Sequence, residues 1–336
     1  MTQRRLTRQQ RERIANIHQR RLDKASEQAE AVLGEAEREH RLGRVITRHG
    51  RNLVVEDEEG RLHHCLFRQN IGHLVCGDEV VWQPAGEERG VVTALRERSS
   101  VLVRPDYSGH EKPLAANISR MIILLAPEPP PLRYLLDQYL ITAECLGIEA
   151  IICLNKTDLL SAEAMAAFDR DFGDYPDIGY SLIKVSASRE TGLQPLVELM
   201  TGQTSILLGQ SGVGKSSLAT TLLPDFNLQT GKLSEASGQG CHTTSTATLY
   251  HLPGGGDLID SPGVRSFRPI IEDMEDLERG FREFAPFLGH CKFSNCRHRE
   301  EPGCALTGAM KQGRIDPRRL DNFLHMAAQF ERGKRL

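Results

Sequence analysis

The sequence has no long hydrophobic run and little excess of charge of one sign. Its longest apolar stretches, such as residues 121–126, have the length of a core strand and are too short to cross a bilayer. The N-terminal residues are polar or basic and lack the apolar segment of a signal peptide. We therefore expect a cytoplasmic protein without membrane contact, and its 336 residues suggest two or three domains.

The sequence also lacks the regular cysteine spacing of a disulfide scaffold. Three of its eight cysteines lie close to a histidine near the C-terminus, and the other five are scattered. Of the scattered cysteines, Cys145 and Cys153 lie in apolar segments. We expect both to be buried, unreactive thiols.

Charge is unevenly distributed along the chain. The formal net charge is -3, yet residues 1–24 hold eight lysines and arginines against two acidic residues. A basic arm on an acidic body indicates an anionic partner. Residues 1–42 are predicted to form an arm that is helical, with Thr7 and Gln10 as a capping box, or disordered when free. Two interpretations stay open for it: an arm that contacts RNA, and a solvated, highly charged helix.

Residues 43–103 consist of short alternating runs separated by glycine, asparagine and acidic turns. This spacing predicts a small five-stranded β-barrel of the OB-fold type. A fold does not define a function by itself. Basic and histidine side chains could form a nucleic-acid-binding face or could be ordinary surface residues: His49, Arg51, His63, His64 and Arg68. The turn-rich residues 104–117 are predicted to be a linker.

From residue 118 onward, apolar strands alternate with helices. Strands are predicted at residues 118–125, 148–154 and 181–185, and helices at residues 132–146, 162–172 and 191–201. Strands that are buried on both faces and joined by helices predict a doubly wound parallel α/β sheet. We assign residues 118–270 to this domain.

A glycine-rich turn follows the apolar residues 205–208. Residues 209–216 read Gly-Gln-Ser-Gly-Val-Gly-Lys-Ser and precede a helix-forming segment, which is the pattern of a phosphate-binding P-loop. The glycines let several N–H groups point at one phosphate, and the helix N-terminus adds its dipole. Lys215 is predicted to reach the β- and γ-phosphates and Ser216 to bind Mg²⁺. The flanking strand and helix disfavour the alternative of an ordinary glycine-rich turn.

A second motif indicates which base is bound. Asn155, Lys156 and Asp158 follow a predicted strand in the order Asn-Lys-x-Asp. In GTPases this aspartate accepts hydrogen bonds from guanine N1–H and the exocyclic amine, a donor pair that adenine lacks. Ser186 and Ala187 resemble the loop whose backbone N–H contacts guanine O6. We therefore favour GTP over ATP, and the alternative is that Asn-Lys-Thr-Asp is only a helix-capping turn.

The γ-phosphate side of the site is predicted downstream of the P-loop. Asp260 and Gly263 form an Asp-x-x-Gly sequence, in which Asp260 would hold Mg²⁺ through water and the Gly263 N–H would contact the γ-phosphate. Residues 238–245 resemble a first switch, where Thr243 or Thr244 would complete the Mg²⁺ shell. The base motif thus precedes the P-loop, the reverse of the order in small GTPases, which predicts a circularly permuted domain.

Residues 271–336 contain a dense cluster of metal ligands. Cys291, Cys296, His298 and Cys304 are typical of a closed, tetrahedral structural zinc site. We expect one structural Zn²⁺ per chain in a small helical domain, rather than scattered cytosolic cysteines. The basic residues between these ligands could face phosphate or solvent.

These motifs resemble those of the RsgA (YjeQ) family, circularly permuted GTPases that assist maturation of the small ribosomal subunit. The resemblance covers about residues 43–330, in which the base motif, the P-loop, the His-Thr-Thr loop, the Asp-Ser-Pro-Gly sequence and the zinc cluster occur in family order. It implies GTP hydrolysis that is stimulated by the small subunit and its rRNA and drives release of the factor. We expect a monomer.

Val264 stands where a Ras-like enzyme has the glutamine that orients the attacking water. Valine cannot hydrogen-bond to water, and the resemblance assigns this role to His242. A loop histidine exposed to solvent is the alternative. Gly212 stands where some GTPases have an asparagine that holds K⁺, so the sequence leaves a K⁺ requirement open.

Two other functions remain open: a nucleotide-gated RNA-binding scaffold with vestigial hydrolysis, and a GTPase that acts on a protein partner. The predicted catalytic residues are Lys215 and His242, and the predicted Mg²⁺ ligands are Ser216 and Asp260. The predicted nucleotide-binding residues are Asn155, Lys156, Asp158, Ser186, Ala187, Gly209, Gln210, Ser211, Gly212, Val213, Gly214, Lys215, Ser216, Ser217, Thr243, Thr244, Asp260 and Gly263.

Overall fold

The computed structural model describes residues 40–86, 88–105, 111–224, 247–261, 271 and 273–332. The predicted basic arm therefore lies outside the described residues except at its C-terminal end. The described part of the chain divides into two units, with a boundary between Arg98 and Ser99. None of the helices in these ranges has the length and apolar content needed to span a membrane.

Five strands of the first unit close into a barrel. They are β1 (Arg41–His49), β2 (Asn52–Asp57), β3 (Leu62–Phe67), β4 (Glu79–Pro84) and β5 (Arg89–Leu95). The strands pair in the order β1-β2-β3-β5-β4, and β4 also pairs with β1. Trp82 fills the core, and Gly90 is needed beside it, because a Cβ there would lie 2.4 Å from Trp82 Cε3. This closed barrel confirms the predicted OB-like domain.

The second unit begins with a hairpin. Strands β6 (Val101–Pro105) and β7 (Glu111–Ala116) pair antiparallel, with Leu102 opposite Ala115. Both of these side chains are fully buried. The turn-rich sequence predicts a linker over residues 104–117, and most of the described residues in that range instead belong to this hairpin.

The second unit also contains a doubly wound sheet. Its strands are β8 (Arg120–Leu125), β9 (Glu149–Leu154), β10 (Ser181–Lys184), β11 (Thr204–Gly209), β12 (Thr248–His251) and β13 (Asp257–Asp260). They lie in the order β10-β9-β8-β11-β13-β12, and the pairs from β10 to β13 are parallel. This order confirms the predicted α/β sheet and places the carboxyl ends of β9, β10, β11 and β13 at one edge.

Helices connect these strands, four of them where the sequence predicts a helix; the short helix at Asp174–Asp177 was not predicted. They are α1 (Arg133–Leu146), α2 (Ala162–Phe172), α3 (Asp174–Asp177), α4 (Leu193–Met200) and α5 (Lys215–Leu222). Ser161 caps α2 by accepting a hydrogen bond from the Ala164 N–H. Cys153 is fully buried on β9, as predicted. Cys145 is exposed, contrary to the prediction, because it lies in the last turn of α1 beyond the helix's buried residues.

Three further helices form the C-terminal part of this unit. They are α6 (Met274–Arg279), α7 (Ala305–Lys311) and α8 (Pro317–Glu331); short 3₁₀ segments occur at Gln69–Ile71, Thr157–Leu159 and Arg282–Phe284. Phe281, Phe284 and Phe323 form the centre of a core that also includes Ile141 of α1. The C-terminal helices therefore pack directly on the α/β domain.

A buried ion cluster lies at this junction. Arg319 of α8 is fully buried and donates hydrogen bonds to Asp137 of α1 and to both carboxylate oxygens of Glu283, the latter at 2.7 and 2.9 Å. The Tyr175 hydroxyl and the Asn322 amide also donate to Asp137. Although burial alone would lower the pKa of Arg319, the two carboxylates hold that pKa well above its ordinary value. The Arg319 guanidinium therefore stays charged inside the protein.

We expect Arg319→Met to lower the free energy of unfolding by about 3–5 kcal/mol, because it leaves two carboxylates buried without their partner. Urea denaturation measures this loss. Arg318→Met is the matched control: its half-exposed side chain pairs with Asp316, and its loss should cost less than about 1 kcal/mol. Equal losses for the two variants would contradict the importance assigned to the buried cluster.

Candidate nucleotide and metal sites

The P-loop connects the end of β11 to the start of α5. Gly209 has φ 139°, and a Cβ there would lie 2.4 Å from the Leu124 carbonyl oxygen. Gly214 has φ 93°, and a Cβ there would lie 2.5 Å from Asn155 Nδ2. Only glycine fits both positions without displacing the neighbouring loops.

Lys215 is folded back over this loop. Its Nζ donates to the carbonyl oxygens of Gly209 and Gln210, at 2.8 Å each. Asp260, at the end of the adjacent strand β13, lies within electrostatic range of Lys215. Burial raises the pKa of Asp260, and the Lys215 charge opposes that shift. With Ser216 in the first turn of α5, this arrangement can hold a phosphate chain and a divalent cation.

Asn155 ties three loops together. The side chain is buried; its Nδ2 donates to the Val213 carbonyl oxygen at 3.0 Å, and its Oδ1 accepts from the Ala187 N–H at 3.1 Å. One amide thus fixes the loop after β9 against the P-loop and against the loop after β10. These are the three segments that the sequence assigns to the nucleotide.

Lys156 reinforces this connection. It has a left-handed backbone, with φ 60°, and its Nζ donates to the Gly212 carbonyl oxygen and, at 3.1 Å, to the Glu128 carbonyl oxygen. The loop after β8 therefore also contacts the P-loop through Lys156. The sequence does not reveal the contact with Glu128, because the acceptor is a backbone carbonyl, which every residue type has.

Asp158 is held as a carboxylate. Its two oxygens accept hydrogen bonds from the hydroxyls of Ser186 and Ser188, and Arg189 Nε lies 4.0 Å away. The hydrogen bond from Ser186 is the main cause of its lowered pKa. A carboxylate accepts only and keeps lone pairs for further donors, so Asp158 can receive the N1–H and amine of a guanine. Ser188 has a role here that the sequence analysis did not assign.

The structure brings the described candidate residues to one edge of the sheet. Contacts among them join the loop after β9, residues 209–215 and the loop after β10, and Asp260 lies within electrostatic range of Lys215. Four predicted residues lie outside the described residues, as does Val264: His242, Thr243, Thr244 and Gly263. Their roles stay predictions.

The four predicted metal ligands converge. One ligand atom each from Cys291, Cys296, His298 and Cys304 lies within 4.8 Å of all the others. Two thiols also accept hydrogen bonds from backbone N–H groups. Cys291 Sγ accepts from the Ala305 N–H at 3.3 Å, and Cys304 Sγ accepts from the Thr307 N–H at the N-terminus of α7. Such donors stabilise thiolates. This donor set can hold a metal ion.

A carboxylate orients the histidine of this cluster. His298 Nδ1 faces the thiols of Cys291 and Cys304 at 3.5 and 3.4 Å, while its Nε2 lies 3.1 Å from Glu278 Oε1. A carboxylate on the second ring nitrogen is typical of a metal-bound histidine, because it fixes the tautomer and the ring orientation. Glu278 lies on α6, twenty residues from His298 in the sequence, and the sequence analysis did not identify it.

Comparison with known proteins identifies the family. The family model described as RsgA GTPase matches residues 95–269. The protein named small ribosomal subunit biogenesis GTPase RsgA from Azotobacter vinelandii is 44% identical over 336 residues, which cover 98% of each chain. The chain belongs to the RsgA GTPase family. It is therefore a GTP hydrolase, as predicted.

Two solved structures support the same assignment. The crystal structure of YjeQ from Thermotoga maritima has a TM-score of 0.71 and 29% identity, and the match covers 87% of this chain and 99% of that one. The structure of YloQ, described as a circularly permuted GTPase, has a TM-score of 0.71 and 25% identity, with 90% and 99% covered. These likenesses confirm the permuted fold that the order of motifs predicted.

We expect Asp158→Asn to weaken GTP binding and to favour xanthosine triphosphate, whose 2-keto group accepts a hydrogen bond from an amide. The variant leaves the guanine N1–H and amine without their carboxylate acceptor, so the preference should shift by at least about tenfold. Competition binding measures it. Asp169→Asn, an exposed aspartate paired with Lys184, is the control and should leave base preference unchanged. An unchanged preference in Asp158→Asn would remove the guanine assignment.

Proposed function

We propose that this chain binds the small ribosomal subunit and its rRNA and hydrolyses GTP late in the maturation of that subunit. In this proposal the subunit stimulates hydrolysis, and hydrolysis drives release of the factor, which acts as a cytoplasmic monomer. The observation that carries the proposal is the match to a small ribosomal subunit biogenesis GTPase across 98% of both chains. That match includes the barrel and the C-terminal helices, so it extends well beyond the GTPase fold.

The site geometry supports specific roles in this reaction. The Asp158 carboxylate would accept hydrogen bonds from guanine, while Asn155 and Lys156 hold the loop after β9 against the P-loop. Lys215 would move from the P-loop carbonyls to the phosphates, where its charge stabilises the transition state. Ser216 and Asp260 would hold Mg²⁺, which neutralises phosphate charge when bound.

The attacking water needs a separate residue. Lys215 supplies charge, as Mg²⁺ would when bound, but Lys215 does not hold the water in line with the γ-phosphate. The sequence places Val264 at the position of the water-orienting glutamine, and His242 is the proposed replacement. An imidazole titrates near neutral pH and can accept a proton or orient water.

We expect purified small subunits to stimulate GTP turnover but not ATP turnover. His242→Ala should keep GTP affinity and subunit binding yet lose stimulated turnover by about 100-fold or more, because it removes a positioning or general-base group. His290→Ala, an exposed histidine on the C-terminal part, is the control and should behave as wild type. Wild-type turnover by His242→Ala on the subunit would reject the catalytic assignment. Wild-type protein that neither binds nor responds to subunits would reject the proposed function.

We also propose that the metal cluster holds one structural zinc ion. Three thiols and an imidazole match the donor set that Zn²⁺ prefers, and all four ligands close the site. Cys304 is the N-cap of α7 and Glu278 lies on α6, so the ion would connect both helices to the loop of residues 291–304. Metal binding should therefore contribute to the stability of the C-terminal helices.

We expect about one zinc ion per purified chain by elemental analysis. Cys296→Ser should lose that zinc and lower the stability of the C-terminal part, while nucleotide binding persists. The control is Cys145→Ser, which alters an exposed thiol outside the cluster and should keep full zinc content. Full zinc in a chain lacking Cys291, Cys296 and Cys304 would contradict this assignment.

A further inference from the structure

An aromatic ring is exposed beside the metal cluster. Phe293 is 44% exposed, and it is the aromatic member of the large apolar side chains that are exposed within the described part of the chain. The C-terminal core and the described side chains packed against it include Phe287 and Leu288 but not Phe293. Burial in the core therefore does not account for a phenylalanine at this position.

The backbone that carries Phe293 is held in place. Cys291 and Cys296 flank it within the metal cluster. The Lys292 N–H donates to the Gly303 carbonyl oxygen at 3.0 Å, and the Cys296 N–H donates to the Phe293 carbonyl oxygen at 3.2 Å. Because the loop is already ordered, a partner that covers the ring loses little additional backbone freedom on binding.

The chemistry around the ring is polar and cationic. Lys292 Nζ lies 5.5 Å from the centre of the Phe293 ring, and Ser294 and Asn295 are exposed beside it. Two other nearby cations, Arg297 and Arg299, already pair with Glu331, and Glu301 accepts both of their backbone N–H groups. Lys292 is therefore the cation placed to act with the ring.

We propose that Phe293 is a stacking platform for an unpaired RNA nucleobase and that Lys292 contacts an adjacent phosphate. A single ring among polar neighbours suits a base, since every base has a π-face and its edges and backbone are polar. A protein partner would instead call for a contiguous apolar patch. The inference rests on the proposed function, because the RNA is that of the small ribosomal subunit.

Equilibrium binding of the full chain to purified small subunits, with a non-hydrolysable GTP analogue, tests this inference. Phe293→Ala should weaken binding about 5- to 100-fold. Phe293→Leu should weaken it nearly as much, because leucine keeps apolar volume but lacks a π-face, whereas Phe293→Trp should bind as wild type. All three variants should keep zinc content and basal GTP turnover, which excludes misfolding as the cause of a loss.

Salt dependence separates the two side chains. Phe293→Ala should leave the slope of log affinity against log salt unchanged, because stacking releases no counterions. Lys292→Ala should reduce that slope by about 0.7–0.9, the contribution of one phosphate contact. An unchanged slope in Lys292→Ala overturns the phosphate contact.

Photocrosslinking identifies the partner. A benzoylphenylalanine at position 293 should crosslink to an rRNA nucleotide, and a crosslink to a ribosomal protein would overturn the inference. The inference is also overturned if Phe293→Ala binds subunits weakly while Phe293→Leu binds them as tightly as wild type. If wild type and Phe293→Ala bind subunits equally well, the stacking role of Phe293 is rejected and the proposed function stands. If wild type does not bind subunits, the proposed function itself is rejected.

Discussion

One buried guanidinium determines how the C-terminal helices sit on the GTPase domain. Arg319 has no exposed surface and is bonded to Asp137 on one side and Glu283 on the other. Burying three charges costs desolvation free energy that their attraction only offsets, and well-packed apolar side chains could be as stable. Apolar contacts such as those around Ile141 permit some sliding, whereas paired N–H donors do not. We therefore attribute to the cluster a single defined orientation of α8 on α1, more than net stability.

That orientation matters because the circular permutation places the C-terminal helices directly after the γ-phosphate side of the site. Strand β13 ends at Asp260, and α6 begins at Met274. Glu278 on α6 hydrogen-bonds to the metal ligand His298, and Arg282, just beyond α6, bonds to Glu144 of α1. The start and the end of the C-terminal part are thus both attached to α1, so that part is tied to the GTPase domain at two separate points.

The sequence was informative wherever a function depends on local spacing. The P-loop, the base motif and the metal ligands each lie within a short segment, and a buried apolar strand precedes each of the first two, so both type and position could be predicted. Turn residues look alike in a linker and in a hairpin, which is why β6 and β7 were missed. Apolar neighbours suggested burial for Cys145, but this cysteine lies in the last turn of α1, beyond the buried residues of that helix. Ser188, Glu278 and Arg319 act through contacts that span 20 to 182 residues, and no local pattern encodes such pairs.

The inverted order of motifs is compatible with a GTPase site because the site depends on strand ends rather than on chain order. Asn155 follows β9, Ala187 follows β10 and Val213 follows β11, and these strands lie in one parallel sheet with their carboxyl ends at the same edge. The side-chain amide of Asn155 needs one carbonyl and one N–H within about 3 Å. These hydrogen bonds depend on where the loops lie in space and not on their order in the sequence. Joining the ends of such a sheet and reopening it elsewhere therefore leaves the Asn155 contacts intact. What the permutation changes is which element follows β13, and here that element leads to the metal cluster.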